Sequence, residues 1–164
     1  SVRAVLGQQI TVKAASTLAA RLVAVYGTQV QTGIEGLTHS FPAPAAILAL
    51  GENISEHLGK LGIISARANT IYQLARVLAD EKNDFGFCGN PEEEMQKLQA
   101  IRGIGSWTAQ YIAMRAMGWP DAFLPTDAGI KKALPDHTPK ELQVLSEAWR
   151  PWRSYATVNL WNTL

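Results

Sequence analysis

Cysteine is almost absent from this chain: Cys88 stands alone among 164 residues. A single thiol excludes an internal disulfide, a cysteine-rich zinc site and a four-cysteine iron–sulfur cluster. It fits a reducing compartment. Long apolar runs are missing too; none approaches the roughly 20 residues of a membrane span, and no signal-peptide pattern is visible. Histidine is scarce. His39, His57 and His137 are widely spaced, match no metal-ligand pattern and read as surface positions. Neither charge sign is in excess, with 15 Lys+Arg against 14 Asp+Glu for a net charge of +1. Nucleic-acid-binding domains often carry a strong basic excess, so charge by itself gives no support for one. The charges are unevenly placed, however. Asp80, Glu81, Asp84 and Glu92–Glu94 cluster in one segment, whereas Lys131, Lys132, Lys140, Arg150 and Arg153 lie in the last third and allow a locally basic face.

What is abundant is apolar residues at helical spacing. A hydrophobic content of 47% in 164 residues predicts one compact domain with a real core, two small lobes included. The chain starts at Ser1 without Met and enters a helical pattern at once, as expected of a fragment of a longer protein. Val12, Ala15, Ala19, Leu22, Val23 and Tyr26 form one stripe at spacings of three and four, closed by Gly27. A loop leads to a short helix through Ile47 to Leu50, and another runs from Ile54 towards Gly62. Ser65 is placed to cap a helix with Ala68, Ile71, Leu74, Ala75 and Leu78 on its buried face. A polar loop spans Asp80 to Gly89. Asn90-Pro-Glu-Glu93 and Thr138-Pro-Lys-Glu141 are helix starts, each with a cap residue, Pro at the first helical position and Glu at the third. A last helix covers roughly Ser154 to Leu164. No alternating strand or β-hairpin is visible. The expectation is all-α, with about nine or ten short helices.

The segment Leu98-Gln-Ala-Ile-Arg-Gly-Ile-Gly-Ser-Trp-Thr-Ala-Gln-Tyr111, followed by Leu124-Pro-Thr-Asp127, is the most informative. A Gly-Ile-Gly turn joins two apolar-periodic helices. Gly103 and Gly105 lack Cβ, so they suit a tight turn and the close approach of another molecule. Past Gly105 a helix begins, and its unpaired N–H groups and positive dipole end suit an anion such as a DNA phosphate. Trp107 and Tyr111 lie four apart and share a helix face. Each feature also has a plain structural reading. The glycines suit a helix end, Asp127 or Thr126 an N-cap, and the two aromatic residues a core stripe.

Leu98–Asp127 resembles the helix-hairpin-helix and Gly/Pro-rich segment with its aspartate in the HhH-GPD DNA glycosylase superfamily. Val2-Arg-Ala-Val-Leu-Gly-Gln-Gln-Ile10 and Trp149-Arg-Pro-Trp-Arg-Ser-Tyr-Ala156 resemble its 3-methyladenine DNA glycosylase II (AlkA) type, and the likeness runs over essentially all of residues 1–164. It implies two packed helical lobes with the active site in the cleft, a hairpin over about 95–118, and a preceding β-rich domain that is absent here. It also implies a monofunctional enzyme of base excision repair. Such an enzyme flips alkylated bases of the 3-methyladenine and 7-methylguanine type from duplex DNA and hydrolyses the N-glycosidic bond.

By position, the resemblance makes Asp127 the catalytic carboxylate, stabilising positive charge that grows on the deoxyribose and orienting or deprotonating the attacking water. Trp107 stands where bifunctional members carry a Schiff-base lysine, which implies water as nucleophile and no strand cleavage. Trp107, Tyr111 and Trp161 would line the base pocket, where a methylated, cationic purine gains from cation–π stacking. Trp149 and Trp152 would be core or wall-supporting. Gln9 takes the wedge position that fills the gap left by the flipped base, where the prototype has an apolar residue; Gln8 and Ile10 are its alternates. DNA would be gripped by Gly103, Gly105 and Ser106 through backbone amides, with Thr108 nearby. A Na+ or K+ would sit on the carbonyls of Gln99, Ile101 and Ile104, with no cofactor required and no iron–sulfur cluster. The implied partner is double-stranded DNA, bound by a monomer with no membrane association, in the bacterial cytoplasm or a eukaryotic nucleus. Two other readings keep parts of the pattern: a non-catalytic helix-hairpin-helix DNA-binding module, and an oxidised-base glycosylase or lyase of the same fold.

Overall fold

The computed structural model of the chain describes residues 1–80 and 90–164; most of the expected loop Asp80–Gly89, Cys88 included, lies outside them. The described residues form two compact units, one of 1–80 with Ile101–Gly103 and one of 90–100 with Ile104–Leu164.

The first unit holds helices α1 (Val2–Leu6), α2 (Val12–Tyr26), α3 (Pro44–Leu48), α4 (Ile54–Gly59) and α5 (Ser65–Ala79). Helix α5 is its centre and packs against α1, α3 and α4. Its Ala68, Ile71, Leu74 and Ala75 are buried at the spacing the stripe predicts, while Leu78 is only half-buried. Ser65 is not the cap of α5. The N-cap is Ile64, without a side-chain bond, and Ser65 is already the first helical residue. Thr11 caps α2 through Ala14 N at 3.2 Å. Val12 falls outside the predicted stripe, 79% exposed, because it lies in the first turn, ahead of the packed Ala15, Ala19 and Leu22. A small antiparallel pair, β1 (Thr28–Gln29) with β2 (His39–Ser40), departs from the all-helical expectation. Two residues per strand are too few to show alternation in a sequence.

The second unit holds α6 (Pro91–Gln99), α7 (Ser106–Arg115), α8 (Ala128–Ala133), α9 (Pro139–Ser146) and α10 (Arg153–Trp161). Its core is built on Phe123, Ile130 and Leu142, with Leu134, Trp149, Leu160 and Trp161 packed around them. Trp149 meets Phe123 edge-on at 5.7 Å, the supporting role expected of it; Trp152 is instead 58% exposed. Arg153 is buried and forked onto Asp121, with Nε to Oδ1 at 2.7 Å and Nη2 to Oδ2 at 2.9 Å. Such a two-bond guanidinium–carboxylate pair is geometrically specific. Arg150 pairs with Asp121 and Glu147. These two arginines are therefore neutralised within the fold and do not contribute to a basic face. Glu94, in the acidic cluster that opens α6, is buried: it is 5% exposed, with Lys97 Nζ 2.7 Å from its Oε1. The three histidines are half-buried rather than on the surface, and Nδ1 of His137 is buried with no partner among the described residues.

Helix α9 carries a complete capping box: Thr138 Oγ1 accepts from Glu141 N at 3.3 Å and Glu141 Oε2 accepts from Thr138 N at 2.7 Å. The bonds to Thr138 hold the Glu141 carboxyl below the usual range. What it adds to stability is present at neutral pH and is lost as the pH falls through that lowered value. Thr138→Ala should lower the unfolding free energy by about 1 kcal/mol in denaturant titrations at neutral pH, with a smaller loss in acid.

Candidate active site

Asp127 opens α8 as its N-cap, so its backbone stays extended (φ −67°, ψ 136°) while its side chain folds back over the first helical amides. Oδ1 accepts from Gly129 N at 2.9 Å and Ile130 N at 3.1 Å. Two of the orphan donors of the helix start are satisfied this way, and the dipole favours negative charge at that point. Two further donors arrive from elsewhere in the same unit. Trp161 Nε1, at the end of α10, donates to Oδ1 at 2.8 Å, and Trp107 Nε1, in the first turn of α7, donates to Oδ2 at 3.0 Å. Asp127 is 9% exposed. A carboxylate offers about four lone-pair positions. Oδ1 receives three N–H groups and Oδ2 one, so Oδ2 keeps acceptor capacity.

Trp107 and Tyr111 share a helix face as their spacing suggests, and Trp161 joins them beside this carboxylate. Trp107 and Tyr111 stack at 5.2 Å between centroids, 19° from parallel, and Tyr111 meets Trp161 at 6.2 Å and 39°. All three are half-buried. Arg115, one turn beyond Tyr111, places its guanidinium 5.9 Å from the Trp161 ring centroid. The capping reading of Asp127 holds, and the same aspartate also joins two indoles.

The Gly-Ile-Gly turn divides into two different glycines. Gly103 has φ +93°, and a Cβ there would come 2.1 Å from Thr70 Oγ1. Around it Thr70 Oγ1 donates to Arg102 O at 3.2 Å and Gln8 Nε2 donates to Gly103 O at 2.8 Å. Gly105 is ordinary, the N-cap of α7 at φ −88°, with open space where a Cβ would go. Only Gly103 needs unusual dihedrals; at Gly105 what the missing side chain leaves is room. Ser106 is exposed beside it. Thr108 departs from its expected DNA-facing role, since it is 3% exposed and its side chain is turned into the fold.

Gln9, between α1 and α2, is exposed in the left-handed region at φ +55°. Its neighbour Gln8 is braced twice, by the bond to Gly103 and by Arg67 Nη2, which donates to the Gln8 carbonyl. Thr70 and Arg67 escaped sequence reasoning because they lie on α5 with no motif of their own. No group of three or more His, Cys, Asp or Glu able to hold a metal ion occurs among the described residues. Nor is any helix among them long and apolar enough to cross a membrane.

The family model of the HhH-GPD superfamily base excision DNA repair proteins matches residues 2–153. A Mycobacterium tuberculosis protein named as a probable bifunctional transcriptional activator/DNA repair enzyme AlkA is 43% identical over 169 residues, covering 100% of this chain and 33% of its own length. DNA-3-methyladenine glycosylase 2 of Escherichia coli is 36% identical over 162 residues, covering 99% of this chain and 56% of its own. This chain thus spans from a third to little over half of these relatives. A 3-methyladenine DNA glycosylase structure from Archaeoglobus fulgidus superposes with a TM-score of 0.83 at 24% identity, over 98% of this chain and 55% of that one, which shows the shared fold.

The two glycines should respond differently to the same change. Gly103→Ala should cost more than about 1 kcal/mol in equilibrium unfolding, while Gly105→Ala stays within about 1 kcal/mol of the parent.

Proposed function

Since the chain belongs to the HhH-GPD superfamily of base excision DNA repair proteins, we propose that it excises alkylated bases from double-stranded DNA by hydrolysing the N-glycosidic bond. The observation that carries this reading is the Asp127 carboxylate, fixed by four N–H donors, two of them from the indoles of an aromatic cluster. The Escherichia coli relative named DNA-3-methyladenine glycosylase 2 supports the substrate class.

In this mechanism the damaged nucleotide leaves the duplex stack and its base enters beside Trp107, Tyr111 and Trp161. Methylation at N3 or N7 makes a purine cationic, and stacking on aromatic faces favours it by about 0.5–2 kcal/mol. The same charge weakens the glycosidic bond, so modest discrimination in binding is amplified in the reaction. As the base departs with the bonding electron pair, positive charge develops on the deoxyribose. Oδ2 of Asp127 is the oxygen left to face it, because Oδ1 is held by three donors. A fixed carboxylate of this kind needs no reorganisation as the charge appears. Water then adds at C1′, its proton passing to the carboxylate or to solvent. Trp107 has no amine, so no covalent sugar–enzyme intermediate and no strand cleavage follow.

Binding to the DNA backbone is assigned to the amides at the start of α7, from Gly103 to Ser106, and the open space at Gly105 supports a close phosphate approach. Main-chain carbonyls of Gln99, Ile101 and Ile104 are the hard oxygen donors that would hold a Na+ or K+. The neighbouring carbonyls of Arg102 and Gly103 already accept from Thr70 and Gln8, which fits their exclusion from that set. A bound cation there would add positive charge next to a phosphate. Gln9 would fill the gap left by the flipped base, its amide able to hydrogen-bond the orphaned partner.

Incubation with methylated duplex DNA, followed by measurement of free base and of strand nicks with and without alkali, tests the proposal. The expected result is release of 3-methyladenine or 7-methylguanine with nicks only after alkali. DNA binding without base release would favour a non-catalytic module, and nicking without alkali a lyase.

A further inference from the structure

Building on the glycosylase reading, we propose that Gly129 is a positioning residue: its missing side chain is the notch in which the Trp161 indole lies, and the notch sets Trp161 Nε1 on Asp127. Glycine is a poor choice at this position by every local criterion. It is the second residue of the six-residue helix α8, where Ala would be the better helix former. Its backbone is not in the left-handed region, so conformation does not demand it. Space does. A Cβ at 129 would come 2.7 Å from Trp161 Cδ1, 2.8 Å from Trp161 Nε1 and 3.0 Å from Asp127 Oδ1.

The neighbour that would have to give way is a rigid ring rather than the end of a flexible chain. Trp161 packs on the Phe123, Ile130 and Leu142 core, with Tyr111 and Arg115 against its ring. The helix that carries it, α10, is also pinned at its first residue by the buried Arg153–Asp121 fork. An indole held in this way cannot retreat without leaving its bond to Oδ1. Gly129 itself donates its N–H to the same oxygen, so notch, cap and indole bond converge on one atom. Gly105, by contrast, has nothing near its absent Cβ, and the close approaches at Gly27 and Gly103 involve Val23, Ser40 and Thr70, so the contact with the indole belongs to Gly129. The role is indirect: Gly129 acts on the reaction through where it lets Trp161 and Asp127 sit.

The test compares the parent chain with Gly129→Ala, Trp161→Ala and the double variant. Indole N–H resonances are recorded by two-dimensional NMR, and kcat and KM are measured on methylated duplex DNA. Trp161→Ala identifies the Trp161 resonance. Gly129→Ala should shift that resonance towards the position of an exposed indole while those of Trp119, Trp149 and Trp152 stay in place. It should lower kcat about tenfold with KM changed less than about twofold, the signature of misplaced groups rather than weakened binding. Adding Gly129→Ala to Trp161→Ala should cost less than about twofold more, since the two closest contacts of the new Cβ are gone and only the 3.0 Å approach to Asp127 Oδ1 remains. An unmoved Trp161 resonance, or rate losses that simply multiply, would overturn the assignment. If the parent chain releases no base, it is the glycosylase reading that falls, and the resonance comparison still decides whether Gly129 seats the indole.

Discussion

The structure turns on one carboxylate that is asked to do two jobs at once. Asp127 ends the orphan state of the first amides of α8, and it receives the indole N–H groups of Trp107 and Trp161. Four hydrogen bonds to a 9%-exposed group fix both its position and the orientation of its two oxygens. Everything that reaches it is held from behind. Trp107 stands on the helix that follows the hairpin, Trp161 on a helix anchored through Arg153, and the Gly129 notch lets the second indole close on the cap. A charge stabiliser loses its value if it must move when charge appears, so this bracing is what the proposed chemistry needs.

The near-zero net charge has a structural counterpart. Arg150 and Arg153, which contribute to the apparent basic bias of the last third, are consumed by Asp121 and Glu147. With these two arginines paired inside the fold, the phosphate binding proposed above rests on main-chain amides. The hairpin turn suits this role because Gln8 and Thr70 bind the carbonyls of Gly103 and Arg102. The turn is therefore held by its carbonyl side at residues 102 and 103.

Much of this was legible in the sequence. Helix starts at Asn90 and Thr138 follow from local chemistry alone, and both appear as expected. The i, i+4 spacing of Trp107 and Tyr111 placed them on one face, and they stack. Asp127 could be read as a cap or as a catalytic group, and the cap geometry accommodates both. The convergence of Trp161 was carried by resemblance, since no local rule brings residue 161 to residue 127. What stayed hidden depends on tertiary burial. Thr108 and Glu94 look like surface residues until their helices pack, and Gly103 and Gly105 look equivalent until Thr70 closes on only one of them. Gly129 gave a faint signal, an isolated glycine within a helical pattern, whose reason is an indole from the end of the chain.

The central claim is that the charge of Asp127, and not only its capping bonds, drives the reaction. Asp127→Asn largely separates the two, because asparagine caps a helix as well as aspartate does and can keep its oxygen towards Gly129, Ile130 and Trp161, giving up only the bond from Trp107. Single-turnover release of 7-methylguanine from methylated duplex DNA should then fall by at least about a hundredfold, with the thermal midpoint lowered by only a few degrees. Base release near the parent rate in the folded variant would contradict the account.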